Sequence, residues 1–498
     1  MLDSSSRLRD FPGLADIAYL NTAAESIPPQ CVHEALERYW RDKTLGMRGR
    51  EGHFSAVESC REISARMTGL RSREVSFCSC SSEAYNLLSS ALDLGPQDEV
   101  VVTDLDFPAG ATPWLRAARP PVTRLWKNSG GALDAACLQP LLNERTRLVQ
   151  VSLVSFYNGH RIAWQPLCAA VRALAPKALI SVDVTQALGR VDLDCAAEAD
   201  ILISSTHKWS LGIHGGCVIG VPERNAERLT TRAGGWYHLG NAFDADRFER
   251  ADSKTGAASY SVGMPNFPAL YALDAALRYV DGVSVAAISA HAGPLVAELR
   301  AGLLELGLEP MCPLDPALPT GILAFQHPRS AEMHAALEKA GVHVMHHAGR
   351  IRLAQADAAP DVAAAERAVE RLAGAFDLRA AIVAEAPPSA RAEDLPFYDL
   401  SGRLAVRELA RGLPEMDSVA LHDGGVTLWL AGRHGHLELA FQLSRISARN
   451  PHQMLVLTLV IGVVMGMISF TYLKNQMRPM LRLAQAAEAF GHGQTLPY

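Results

Sequence analysis

The sequence predicts an α/β fold: a mainly parallel sheet covered by helices on both faces, followed by a smaller α+β unit. Three observations carry that expectation. Short apolar, β-branched runs alternate with longer helical patterns through residues 1–375, and strand–helix–strand order implies parallel pairing with crossovers. Near Asp281 the pattern changes to one long helix followed by short strands and helices. Finally, Met454–Leu473 is twenty residues without a charge; at ~1.5 Å rise per residue it spans roughly 30 Å, the thickness of a bilayer core.

Composition narrows the classes. A chain of 498 residues allows about three domains, and 49% hydrophobic residues exclude a largely disordered protein. A net charge of −6 excludes a basic surface built to hold nucleic acid. The nine cysteines form no CxxC pair, so neither a zinc ribbon nor a small disulfide scaffold is indicated. The first twenty residues lack the apolar run of a secretory signal, and everything up to residue 390 reads as cytosolic and reducing.

In chain order, residues 1–280 form the large domain, with strands expected at Glu99–Thr103, Leu148–Leu153, Leu179–Val182 and Ile201–Ser204 and helices at Leu138–Glu144 and Pro166–Leu174. Residues 281–378 form the small domain: a helix over Val285–Leu306, a strand over Gly321–Phe325, a helix over Ala331–Ala340, strands over Val342–His346 and Arg350–Leu353, and a helix over Asp361–Ala373. The Ala/Pro-rich residues 379–393 read as a linker. A short region follows at 394–453, with alternating character over Ser418–Trp429, then the transmembrane helix at 454–473 and a terminal segment at 474–498. Gly462 and Gly466 make a GxxxG inside the membrane segment, a weak dimer signal.

The chemistry concentrates in ISVDVTQALGRVDLDCAAEADILISSTHKWSLGIHGG, Ile180–Gly216. Asp183 closes an apolar strand, and open α/β sheets place ligands at such carboxyl ends. Gln186 lies one short turn on, and Lys208 follows the next apolar strand among Ser205, Thr206, His207 and Trp209. A lysine at the end of a buried strand loses solvation, which lowers its pKa and frees the amine as a nucleophile. A carboxylate, an amide and a lysine at successive strand ends suit the nitrogen, phenolic oxygen and aldehyde of pyridoxal phosphate.

DVTQALG followed by ADILISSTHKWSLGIHGG resembles the cofactor-binding core of class V aminotransferases, a family that includes cysteine desulfurases, kynureninase and isopenicillin N epimerase. The likeness covers about residues 17–375, from YLNTAAESIPP at Tyr19–Pro29 to GRIRLA at Gly349–Ala354. It implies the fold type I of pyridoxal phosphate-dependent transferases, with a seven-stranded-type sheet, and a homodimer with active sites at the subunit interface. By this resemblance Lys208 carries the internal aldimine and acts as catalytic base, Asp183 keeps the pyridine nitrogen protonated, and Gln186 bonds the phenolic oxygen. Ser205 and His207 sit at the cofactor beside the lysine. Ser81 and Ser82, in the turn Ser79-Cys80-Ser81-Ser82-Glu83-Ala84 that opens a helix, hold the phosphate at free backbone N–H groups. Phe107 supplies the ring that stacks on the pyridine, Asn158 the polar group near the phenolic oxygen, and Arg352 the clamp on the substrate carboxylate.

Two departures bear on the activity. Met264, in Gly263-Met264-Pro265-Asn266, stands where the family often has a threonine that reaches the partner subunit's phosphate. No cysteine follows Cys312, which disfavours a persulfide mechanism. The expected activity is a transaminase or C–S/β-lyase acting on a small amino acid. The alternatives are an epimerase of the isopenicillin N type, or a membrane-anchored sensor whose domain only binds ligand.

The C-terminal hundred residues carry a second resemblance. LPFYDLSGRL, SARNPHQMLVLTLVIGVV and LKNQMRPMLRLAQAAEAFGHG are similar to an EnvZ-type osmosensing histidine kinase: the end of its periplasmic region, its second membrane helix and the start of a HAMP linker opened by Pro479. No phosphoacceptor helix or ATP-binding domain accompanies them, so no kinase activity is expected. The resemblance implies a bacterial inner membrane, with Asp394–Arg449 periplasmic. That conflicts with a cytoplasmic cofactor enzyme on the same side of one crossing. The junction therefore reads as a fusion or as a join of two neighbouring genes.

Overall fold

The computed structural model describes residues 4–14, 17–313, 315, 317–354, 379–383, 416–422, 425–432 and 435–442. The chain divides into two units, Met1–Ala368 and Val369–Tyr498.

In the first unit the short apolar runs form strands. They are β1 (Ala18–Tyr19), β2 (Val75–Cys78), β3 (Glu99–Thr103), β4 (Val122–Trp126), β5 (Thr146–Ser152), β6 (Leu179–Asp183), β7 (Ile201–Ser205) and β8 (Cys217–Gly220), then β9 (Ile322–Gln326), β10 (Val342–His343), β11 (Met345–His347) and β12 (Arg350–Ala354). Seven of them make the main sheet, in the order β2-β8-β7-β6-β5-β3-β4. All its pairings are parallel except the two made by β8. Both faces are buried, as a parallel sheet requires. On one face Val101, Val149, Ile180, Val182 and Leu202 pack with Val57 and Ile63 of the helix Arg50–Thr68, Leu167 and Val171 of Trp164–Leu174, and Leu273 of Phe267–Val283. On the other, Val100, Val102, Leu148, Leu179 and Ile203 pack against Tyr85 and Leu88 of the helix Ser81–Leu92. Strand alternation sorts the two sets.

The small domain has the three-stranded antiparallel sheet β11-β12-β9. Leu323, Phe325, Ile351 and Leu353 face Val296 and Leu303 of the helix Val285–Glu305. Two glycines tie this domain to the large one. Gly131 and Gly159 both have φ +82°, and a Cβ there would strike the carbonyl oxygens of Met311 and Ile322 respectively. Only glycine fits both the conformation and the approach.

Three expectations shift locally. The helix expected over Leu138–Glu144 is instead Ala135–Leu138 followed by a single 3₁₀ turn, Gln139–Leu141. Pro140, which cannot donate to a continuing helix, sits in that turn. The strand expected over Val342–His346 splits: Val342–His343 pairs parallel with β1, whereas Met345–His347 pairs with β12. The helix expected at Asp361–Ala373 lies outside the described residues.

In the second unit, β13 (Arg379–Val383), β14 (Met416–His422), β15 (Gly425–Gly432) and β16 (Gly435–Gln442) form an antiparallel sheet in the order β13-β16-β15-β14. The alternation read over Ser418–Trp429 thus resolves into parts of two adjacent strands. Trp429 lies opposite Glu438 and donates its indole N–H to that carboxylate at 2.9 Å. Arg379–Val383, the start of the stretch read as linker, is a strand, paired in register Ala380 with Leu439 and Ile382 with Leu437. Composition of the segment alone does not reveal a partner some 55 residues away. The transmembrane helix expected at 454–473 and the HAMP-like segment expected at 474–498 lie outside the described residues. Among the described residues no single helix is long and apolar enough to cross a membrane.

One buried charge pins the edge of the main sheet. The fully buried carboxylate of Glu99 on β3 accepts from Arg124 on β4 at 3.0 Å and from the Asn143 amide at 2.9 Å, and Arg145 pairs with it too. These donors, Arg124 foremost, hold its carboxyl at about 2. A folded pKa below the ordinary 4.5 gives stability that is complete above 4.5 and lost as pH falls towards 2. We expect Glu99→Gln to cost about 2 kcal/mol at pH 7 in denaturant titrations, with the difference from the parent shrinking as pH falls through that window.

Candidate active site

The carboxyl ends of β3, β5, β6 and β7 converge on one edge of the main sheet. Asp183 is the last residue of β6. Its carboxylate accepts from the Tyr85 hydroxyl and the Thr185 backbone N–H, each at 2.8 Å. Thr185 Oγ1 in turn accepts from the backbone N–H of Ser205, the end of β7, at 3.0 Å. The two strand ends are therefore held in register by side chains as well as by the ladder.

Lys208 follows β7 on a tightly folded loop. Thr206 donates its hydroxyl to the carbonyls of Ile213, 2.8 Å, and Gly216, 3.0 Å, and a Cβ on Gly212 or Gly216 would press on Thr206. Burial lowers the Lys208 amine below its ordinary value; Asp183 opposes the shift and the Arg352 charge reinforces it. Its Nζ lies 5.6 Å from the centroid of the Phe107 ring. That ring is about half exposed and packs edge-on against Phe156 at 5.1 Å. The structure thus gathers Asp183, Ser205, Lys208 and Phe107 at one place.

Gln186 is fixed from two sides. Its amide N–H donates to the Ala23 carbonyl at 2.9 Å and its oxygen accepts from Trp209 Nε1 at 2.6 Å. This sets which end of the amide is which and leaves one N–H for another acceptor. The His207 ring stacks on that of His214 at 4.1 Å, and His214 Nε2 meets the Glu25 carboxylate at 2.7 Å. Burial, with the charges of Lys208 and His214, pushes His207 down to about 4. Glu25, His207 and His214 bring donor atoms within 4.8 Å of one another, a set able to hold a metal ion. Ser81 and Ser82 open the helix Ser81–Leu92, whose N-cap, Cys80, makes no side-chain cap. The first-turn N–H groups are therefore not capped by that side chain. Glu83 folds back onto the Ser79 N–H at 2.7 Å. A cavity of about 200 Å³ beside this turn is lined by Cys78, Ser79, Glu83, Tyr260, Met264 and Asn266.

Arg352 lies on β12, 2% exposed, and donates from Nη1 to the Phe156 carbonyl at 2.7 Å. Burial lowers it to about 10, and no carboxylate of the described residues touches it.

Asn158 departs from expectation. Its amide donates to the Gly131 carbonyl at 2.7 Å and to the Met311 carbonyl at 3.5 Å, and its oxygen accepts from the His160 N–H. Both amide hydrogens are committed to holding the loop, so the phenolic-oxygen role read for Asn158 does not fit. The residue of that loop beside Phe107 is Phe156. Sequence reasoning also missed Asp106. Burial pushes this carboxyl up to about 7; one oxygen accepts from the Ser152 N–H at 2.8 Å and the other has no partner. The only signal was its place before Phe107 in TDLDFPAG, which draws attention to the ring. Sequence reasoning missed Tyr85 as well, whose hydroxyl bonds Asp183.

Comparisons with known proteins identify the family and the fold. The family described as Aminotransferase class-V matches residues 18–355. A cysteine desulfurase of Dickeya dadantii is 30% identical over 328 residues, covering 60% of this chain and 75% of that protein. A probable cysteine desulfurase of Methanothermobacter thermautotrophicus is 28% identical over 329 residues, 64% and 80% respectively. Among solved structures, the apo cysteine desulfurase of Thermococcus onnurineus superposes with a TM-score of 0.65 at 20% identity, over 76% of this chain and 98% of that one. The cystine C-S lyase C-DES in complex with cysteine persulfide gives 0.64 at 20%, over 74% and 99%.

Asp106 supplies a pH test. Its carboxyl is protonated more readily folded than unfolded, so it subtracts stability as pH rises from the ordinary 3.8 to about 7. Asp106→Asn keeps the acceptor for the Ser152 N–H and removes the titration. Its melting temperature should exceed the parent's at pH 8, with the gap opening between pH 4 and 7; a gap independent of pH would refute the assignment.

Proposed function

This chain belongs to the class V aminotransferase family, and on that premise we propose that it is a pyridoxal 5′-phosphate enzyme acting on a small amino acid as a transaminase or C–S/β-lyase, with Lys208 as its catalytic residue. The observation that carries the reading is a buried lysine amine, lowered by desolvation, beside the hydrogen-bonded carboxylate of Asp183 and within range of the Arg352 charge.

The residues present fit the cofactor. The turn at Ser81 and Ser82, with Ser205 and His207, would take the phosphate. Asp183 would meet the pyridine nitrogen, the spare Gln186 N–H the phenolic oxygen, and the Phe107 face the ring. A neutral His207 can donate to the phosphate from one nitrogen only, its tautomer set by what the other nitrogen faces. When bound, the cofactor supplies an electron sink conjugated to the substrate's α-carbon.

The chain's own groups do the rest. Arg352 grips the substrate α-carboxylate through the planar fork suited to it. The Lys208 amine, its pKa lowered by burial, takes the α-proton and returns it. Phe107 and Phe156 narrow the approach of water. A sulfur-accepting role is disfavoured for Cys312, the last cysteine. It is buried, its Sγ is engaged with the Asn158 carbonyl at 3.3 Å, and desolvation pushes it up to about 11. A thiol held protonated is a poor nucleophile.

Borohydride treatment of the cofactor-loaded protein should label one peptide, that of Lys208, and Lys208→Ala should lose both the label and turnover. Turnover across an amino-acid panel should yield pyruvate or a keto acid; a label on another lysine would overturn the reading.

Membrane attachment through Met454–Leu473 and a homodimer extend the proposal. The first rests on twenty uncharged residues. The second is supported by large apolar side chains left exposed at Trp40, Met47, Phe243 and Phe248. The full chain should stay with membranes through carbonate washing, and a chain ending at residue 393 should not. Release of both would remove the anchor.

A further inference from the structure

Arg352 is not alone. In a strand, residues two apart share a face, and β12 presents Arg350 and Arg352 on one side and Ile351 and Leu353 on the other. The apolar pair packs with Leu323 and Phe325 in the small-domain core. The two arginines face away from that core; across the ladders Arg352 lies opposite Ala324 and Met345, and Arg350 opposite Gln326 and His347, none of them a carboxylate.

Both guanidiniums are buried, Arg350 at 1% and Arg352 at 2% exposure. Consecutive residues of one loop hold them: Arg352 bonds the Phe156 carbonyl, and the Arg350 guanidinium lies 4.0 Å over the Tyr157 ring. Nε and Nη1 of Arg350 and Nε of Arg352 have no hydrogen-bond partner. Neither arginine forms an ion pair with a carboxylate of the described residues, and Arg350 is close enough for its charge to act on Arg352. Burying one unpaired cation is costly, and burying two side by side is more so. An aromatic face offsets part of that cost at Arg350, but it leaves the N–H groups unused. Among the described residues the pair has no anionic partner, and the proposed reaction brings only one anion, the α-carboxylate.

We infer that Arg350 and Arg352 form a two-cation site and that the amino acid this enzyme accepts carries a second, side-chain carboxylate, which Arg350 binds. The inference rests on the reading of Arg352 as the α-carboxylate clamp and narrows the substrate to the dicarboxylic class.

Binding of unreactive acids to the cofactor-loaded full chain, measured by calorimetry, tests it. Succinate and glutarate, which lack an amine, should bind about 30-fold more tightly than propionate and butyrate, the worth of one added charge-assisted contact. In Arg350→Met that advantage should fall to within about threefold. Equal affinities for mono- and dicarboxylates in the unmodified protein would overturn the inference, whether or not the variant folds. So would an advantage that survives in a folded Arg350→Met. Borohydride labelling of the same preparation separates the two readings. A missing Lys208 label counts against the proposed function, whereas a labelled protein without dicarboxylate preference counts against the two-cation site alone.

Discussion

A lysine amine taken out of water is the constraint on which this site depends. A buried ammonium loses hydration, and burial lowers the pKa of the amine in consequence. That outcome needs a rigid surrounding, because a mobile lysine would swing back to solvent. The rigidity comes from Thr206, whose hydroxyl reaches two carbonyls across its own loop, and from Thr185, which ties the ends of β6 and β7 together. Asp183 limits how far the amine is depressed and Arg352 pushes the other way. The environment of Lys208 is thus set by Asp183 and Arg352, on strands β6 and β12, and by two threonines that fix the loops around it.

What the sequence made legible follows chain proximity. Asp183, Gln186, Ser205, His207 and Lys208 lie within one 26-residue stretch whose strands are continuous apolar runs, so strand ends and side-chain directions could be read together. Arg352 was singled out by its motif, and it lies buried on β12. Asn158 departed from expectation because its loop is irregular: Phe156, two residues earlier, lies beside Phe107, and only the distant carbonyls of Gly131 and Met311 reveal where Asn158 points. Asp106 and Tyr85 were invisible for the same reason, since the partners that define them, Ser152 and Asp183, come from other strands. The strand at Arg379–Val383 was hidden by a composition rich in alanine.

The cysteines show how little residue counts say about chemistry. All nine are free, and Cys60, Cys168, Cys195, Cys217 and Cys312 are buried. Desolvation raises each of those five thiols. They serve as small hydrophobes in the interior. Cys80 and Cys137 are the exposed ones, and Cys80 sits at the uncapped helix start.

Gly131 and Gly159 set a limit on how this enzyme can diverge. At both points main chain meets main chain, with φ +82° and no room for a Cβ, so the sheet bearing Arg352 is registered to the sheet bearing Lys208 without an intervening side chain. The span between Lys208 and Arg352 then behaves as a fixed ruler. Mutations that repack a core cannot lengthen it. A lineage seeking larger or smaller substrates would have to change the walls, at Phe107, Phe156 or Arg350, and leave the ruler alone.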